Sequence, residues 1–304
     1  MQDIGLFAIV ALIFFGALEW IAESIPNSYT YKCDYMEQHG SQIETLILGS
    51  SNAYDGLNST VLPNAFNLSN SSQTLEDDYR LLAKYIGSMD SLQTVIVGLD
   101  YHALGATSQA NRRTYYTIYM DLYPRWPISK YSFEVCNTEV LVKKIIKYAV
   151  SRDVTRCDSL GQRVGHTKEA VETGAEWWNK DVLSLVENDK LDIGNRTLEI
   201  EENTRYLHAI VNLCNSHGVK PVIVLMPVMG EYKKKLPKEQ VALMEEVLQS
   251  LDSAAICIDA SDWPIPDDGW YNATHLTKEA SEIFTHDLLI NKNATHKRHG
   301  MYRN

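Results

Sequence analysis

The chain opens on an unbroken apolar run, Ile4–Leu18 (IGLFAIVALIFFGAL), which Trp20, Ile21 and Ala22 extend past Glu19 toward Pro26. That is close to the roughly 20 apolar residues a helix needs to cross a bilayer. A cleaved signal peptide carries a basic stretch before its apolar run and a small-x-small site after it. This chain starts Met-Gln-Asp and has no Lys or Arg ahead of the run. The pattern therefore predicts an uncleaved N-terminal segment over residues 1–25, one transmembrane helix anchoring a body over 26–304.

In the body, short apolar runs rich in β-branched residues recur at wide intervals: Thr45–Leu48, Thr94–Val97, Val222–Met226 and Ala255–Ile258, with Ala65–Leu68 as a further short strand. Nearly continuous apolar character over so few residues marks strands covered on both faces, as in parallel sheets. Helical periodicity separates them. Thr74–Tyr85 sets Leu75, Tyr79 and Leu82 on one face. Glu201–His217 does so with Leu207, Ile210, Val211 and Cys214, then stops at Gly218 with Pro221 beyond, a normal helix exit. Pro237–Leu251 and His275–Leu289 repeat the pattern. Strands alternating with helices predict an α/β fold, a three-layer flavodoxin-like sandwich around a parallel sheet. The strand rhythm lapses between about 106 and 196, in an aromatic and polar segment holding one helical stretch, Glu139–Val150. It reads as an insertion serving as a lid or a partner surface. Within it, the tyrosine-rich run Arg112–Tyr123 suits either internal packing or the stacking of sugar rings. The basic tail after Asn291 reads as frayed.

The totals change this picture little. At 304 residues and 45% hydrophobic the chain can bury a full core, and a net charge of -11 argues against a nucleic-acid partner. The five cysteines are scattered, with neither a disulfide framework nor a zinc spacing. No GxGxxG or GxxxxGK[ST] follows any strand, and no metal or organic cofactor is expected.

Candidate chemistry gathers where strands end, because ligands of parallel α/β sheets bind at the carboxyl edge. Gly49-Ser50-Ser51 follows Thr45–Leu48, Ser69-Asn70-Ser71-Ser72 follows Ala65–Leu68, and Asp100-Tyr101-His102 comes after Thr94–Val97. Late in the chain, DDGWYNATHL brings His275. A plain Gly-Ser-Ser-Asn turn accounts for the first of these. The alternative is a serine made nucleophilic by a neighbouring imidazole, with N–H groups holding the oxyanion. The other histidines, His166 among them, show no ligand spacing and read as surface or core residues; Asp100 and His102 read as a solvated pair at a strand end.

Four blocks, LILGSSNAYDG, AFNLSNSSQ, TVIVGLDYHAL and YNATHLTKEASEIFTHDL, resemble in order the motifs of the SGNH (GDSL-like) hydrolase and acyltransferase superfamily. The nearest branch is membrane-anchored and works in the cell envelope beside polysaccharide O-acylation machinery. D-alanyl transfer proteins of the DltD kind are similar at greater distance. The resemblance runs from about Glu44 to Leu289 and skips the insertion. It implies Ser51 as nucleophile and oxyanion donor, His275 as base, and an oxyanion lining from the Ser72 region. It implies a serine esterase or O-acyltransferase on acyl esters of a surface glycan or related envelope polymer. It further implies a membrane-bound O-acyltransferase as partner and a body facing the periplasm or the cell exterior. Three departures are visible. Asn272 stands where the superfamily has Asp and is carried over as the catalytic residue that orients the imidazole by accepting from Nδ1–H; Asp100 falls near the oxyanion asparagine, and serine replaces the second block's glycine. Asp267 or Asp268 is then an alternative acid, Asn70 an alternative donor and Ser50 a rival nucleophile. A domain that binds glycan or a membrane partner without turnover fits the same departures.

Overall fold

The computed structural model describes residues 2–152, 155–164, 166–167 and 175–290. The tail after Asn291 lies outside them. The chain divides into two compact units, Met1–Gln38 with Ser108–Arg156, and His39–Thr107 with Cys157–Asn304. The insertion expected at 106–196 is thus split: its first half clusters with the N-terminal helices, its second half with the sheet.

The larger unit is an α/β fold built on five parallel strands: β1 Thr45–Gly49, β2 Ala65–Asn67, β3 Thr94–Leu99, β4 Lys220–Leu225 and β5 Ile256–Asp259, in the order β2-β1-β3-β4-β5. Each apolar run becomes a strand, and β1, β3 and β4 are buried almost throughout. Alternation along the strands sends Ile47, Ile96, Val222 and Val224 into one core. There they join Ala53, Leu57, Trp270, Leu276 and Phe284. Each of the Ile, Val, Leu and Phe side chains among them, fully buried, contributes about 1.5–3 kcal/mol.

Helices in this unit flank the sheet. They are α3 Ser51–Gly56, α4 Leu75–Tyr85, α7 Ala175–Asp189, α8 Thr197–Ser216, α9 Gly230–Lys233, α10 Lys238–Leu251 and α11 Lys278–Leu289. Thr74 starts α4 with a capping box, its hydroxyl taking the Asp77 N–H while the Asp77 carboxylate takes its own N–H. α11 starts three residues later than its periodicity predicts. Thr277 is its N-cap, and Trp270 pairs with Leu276 across a small antiparallel bridge. His275 is therefore a loop residue.

The smaller unit holds α1 Gln2–Glu23, α2 Ser28–His39, α5 Ala110–Ile118 and α6 Thr138–Ser151. α1 is long and apolar enough to cross a membrane. Ile4, Phe7, Leu12 and Phe14 are exposed along it, and only its end is covered, with Ala22 and Ile25 buried. The tyrosine-rich run packs inside the unit. Tyr116 and Tyr123 are buried, Tyr29 meets Tyr115 and Tyr116 with ring centroids 5.1 Å apart, and Arg113 lies 3.2 Å over Tyr123.

Candidate active site

β1 and β3 are neighbours from which the chain leaves in opposite directions, and the crevice at such a switch point is where α/β sheets hold ligands. Two glycines pair where these strands end, Gly49 as the last residue of β1 opposite Gly98, the last but one of β3. Gly49 has φ +127°, and a Cβ there would meet Gly98 O at 2.4 Å; one on Gly98 would meet Ala53 Cβ at 2.6 Å. Without side chains at these positions, α3 starts directly against the sheet edge. Ser50 caps α3 and Ser51 is its first residue, so the Ser51 N–H has no carbonyl partner within the helix.

Ser51 Oγ lies 2.9 Å from His275 Nε2, and His275 Nδ1 lies 2.9 Å from Asn272 Oδ1. The same amide oxygen accepts the N–H groups of Thr274 and His275 at 3.0 and 2.9 Å. Two backbone donors fix it as oxygen, and an oxygen acceptor puts the ring proton on Nδ1. Nε2 is left to accept from Ser51. The imidazole side chain is only 16% exposed. Burial lowers its pKa from 6.5 to about 4; Asp55 opposes that shift, while Arg163 and His166 add to it. His275 is thus neutral at pH 7, the form a general base needs.

Asp55 is one turn beyond Ser51 on α3, with its side chain 1% exposed and Oδ2 3.7 Å from His275 Nε2. Arg163 Nη1 stands 3.3 Å from that same oxygen and 3.1 Å from Ser71 Oγ; His166 Nδ1 stands 3.2 Å from Oδ1. His166 also stacks on Tyr271 at 3.6 Å and meets the His275 ring edge-on at 6.3 Å. The loop ahead of these residues is strapped to the sheet. Leu160 O takes the Asn67 N–H, and Gln162 bonds Tyr54 O, Asn67 Nδ2 and the Ser59 N–H.

The remaining sequence candidates fall as follows. Ser50 Oγ donates to Asp100 Oδ2 at 2.5 Å and does not reach for the imidazole. Asp100 Oδ1 is 3.0 Å from His102 Nδ1, which is 3.7 Å from Asp189, itself bonded by Tyr232. Asp100 is buried, so the two form a half-covered pair running into the fold and not the solvated one the sequence suggests. Asn70 bonds Gly49 O through its N–H at 3.3 Å and is buried with Nδ2 unpartnered. Ser72 has a left-handed backbone, φ +58°. Asp267 and Asp268 lie exposed in a one-turn helix, Asp267–Gly269. Among the described residues no three His, Cys, Asp or Glu group to hold a metal.

Sequence reasoning missed Asp55, Arg163, His166 and Tyr271. For Asp55 the signal was present, since four residues after Ser51 is one turn of the same helix. Tyr271 sits inside the last block, beside Asn272. Arg163 and His166 sit in a segment with no periodicity. No protein-family model matches the chain, and no curated protein matches it significantly.

Proposed function

We propose that the chain is a membrane-anchored, SGNH-like serine esterase or O-acyltransferase. It acts on acyl esters of a glycan or related envelope polymer, outside the membrane that α1 crosses. The carrying observation is the hydrogen-bonded line Ser51 Oγ, His275 Nε2, Asn272 Oδ1 at the carboxyl edge of the sheet. In the first half-reaction His275 Nε2 takes the Ser51 proton while Oγ bonds to the ester carbonyl carbon. The carbonyl electrons move to oxygen, where the Ser51 N–H and the Asn70 amide are the candidate donors. The tetrahedral intermediate expels the alcohol, which leaves with the proton from the imidazolium. In the second half, water or a sugar hydroxyl gives its proton to His275 and bonds to the acyl carbon; the Oγ–acyl bond breaks, and the imidazolium returns the proton to Ser51 Oγ. The alternatives are hydrolysis and transfer, the latter suiting a membrane O-acyltransferase that supplies the acyl group.

Replacing the triad carboxylate by an amide costs about 10⁴ in serine proteases. Asn272 orients the ring but brings no charge. Asp55 supplies a negative charge on the Nε2 side, and at such a distance a unit charge acts with about 4 kcal/mol at an effective dielectric of 20. Arg163 offsets part of it. A second reading, binding without turnover, draws on Asp100, a buried hydrogen-bond acceptor at an edge where the reaction wants donors.

A fluorophosphonate probe decides between them. Expected is labelling at Ser51, located by mass spectrometry, that is lost in Ser51→Ala and falls at least about 10³-fold in His275→Ala. Folded protein with no labelling at Ser51 would move the assignment to the binding reading.

A further inference from the structure

The smaller unit carries apolar surface that its own packing leaves uncovered. On α6, Leu141 and Lys144 turn inward, whereas Val142, Ile145, Ile146 and Val150 are exposed, Val150 by 82%. At 100° per residue these four span an arc of about 140°, with Lys143 and Lys147 along one margin. A second apolar patch stands on the loop between α5 and α6, where Trp126 is 74% and Ile128 64% exposed.

Both patches are tied to the end of α1. Arg125, next to Trp126, bonds Glu23 Oε1 at 3.0 Å. The Glu19 carboxylate takes the N–H groups of Glu134 and Val135 at 2.8 and 3.0 Å, just ahead of α6. Lys144 of α6 donates to the Ala22 carbonyl at 2.8 Å and pairs with the buried Glu134 carboxylate at 3.0 Å. The bonds to α1, made by Glu19, Ala22 and Glu23, all fall where the apolar window Ile4–Glu23 ends. A helix that spans a bilayer ends at the headgroup level, so whatever is bonded to its last turn sits at that depth. Charge points the same way. Residues 108–156 hold nine Lys or Arg against four Asp or Glu, in a chain whose net charge is -11.

We propose that α6 and the Trp126–Ile128 tip form a second membrane contact, lying in the headgroup layer of the bilayer that α1 spans. The apolar stripe enters the acyl boundary, Trp126 takes the interfacial position this side chain favours, and the lysines meet anionic headgroups. This rests on reading α1 as a membrane span.

The test uses the full chain in vesicles of phosphatidylcholine with a minor share of phosphatidylglycerol. Benzoylphenylalanine is placed singly at Ile146 and Val150, at Phe14 as a span control, and at Leu198, exposed on α8, as a background control. After irradiation, lipid adducts are counted by mass spectrometry. Expected are adducts at Phe14, Ile146 and Val150, each several-fold above Leu198. Adducts at Phe14 with only background at Ile146 and Val150 overturn the inference and leave the span intact. No adduct at Phe14 overturns the span reading and the inference with it. Crosslinks from α6 to a second copy of the chain, in place of lipid, also overturn it. Should the bulky residue block reconstitution, a nitroxide on Val150→Cys in a Cys136→Ser background reads the same depth, through oxygen against nickel accessibility. Greater access to nickel than to oxygen there overturns the proposal.

Discussion

At the scale of single residues, the chemistry turns on how one imidazole is held. Asn272 spends its amide oxygen on two backbone N–H groups and on His275 Nδ1, which leaves Nε2 turned toward Ser51 Oγ, with Asp55 further off on the same side. Burial makes that ring a weak base, with its pKa lowered to about 4. The expected pH profile follows. For an activated acetate ester, kcat/KM rises with a midpoint near 4 and is flat by pH 6, because the neutral base is fully formed there. A midpoint at or above 6.5 would mean that the ring is not desolvated as described. Asn272→Asp adds a carboxylate on the Nδ1 side. It is expected to raise both the midpoint and the plateau, the latter about tenfold or more, since charge behind the ring stabilises imidazolium. A plateau unchanged or lowered would show that Asp55 already supplies what that charge offers.

At the scale of elements, α3 is six residues long and holds both Ser51 and Asp55, so its placement sets the site. The glycine pair at the ends of β1 and β3 makes that placement available. Gly49→Ala puts a Cβ 2.4 Å from Gly98 O at a backbone angle that L side chains rarely adopt. Backbone cannot yield there as a side-chain tip would. The expected cost is about 2–4 kcal/mol of stability, read by thermal melting, together with loss of Ser51 labelling. A variant as stable as wild type would show that the β1 end can relax freely. The element-level reading of the sequence was good for a physical reason. Parallel strands covered on both faces must be apolar throughout, so β1, β3 and β4 show in the residue pattern. α7 did not show, since its apolar side chains are diluted by Asn, Lys, Asp and Glu.

For the whole molecule, two buried titrating groups give opposite acid responses. The Asp78 carboxyl lies under β1, accepting from the Gly49 N–H and Gln73; burial raises its pKa from 3.8 to about 7. Between those values the folded state binds more protons than the unfolded, so stability from this group falls as pH rises. His275 runs the other way. Its folded pKa of about 4 lies below 6.5, the unfolded state binds more protons between them, and stability rises with pH. Thermal melts in detergent between pH 4.5 and 6.5 should show the two slopes opposing in the wild type. Asp78→Asn is expected to make stability climb more steeply with pH, and His275→Ala to make it climb less or fall. Parallel profiles for all three proteins would contradict the assigned shifts.

Several features were determined along the chain itself. The apolar helix at the start, the five strands, and the pairing of Ser51 with His275 as candidates all rest on local pattern or on block order, which need no third dimension. Tertiary structure decided what those residues meet. Asn272 faces the ring because a turn before α11 folds its amide oxygen over two N–H groups. Asp55 joins because α3 is a helix and the fourth residue returns to the same face. Arg163 and His166 join because a loop with no periodicity is strapped to β2 through Leu160 and Gln162. Contacts made across 100 or more residues leave no trace in the spacing of side chains, whereas burial of a strand or a helix face has to be written into every turn of it.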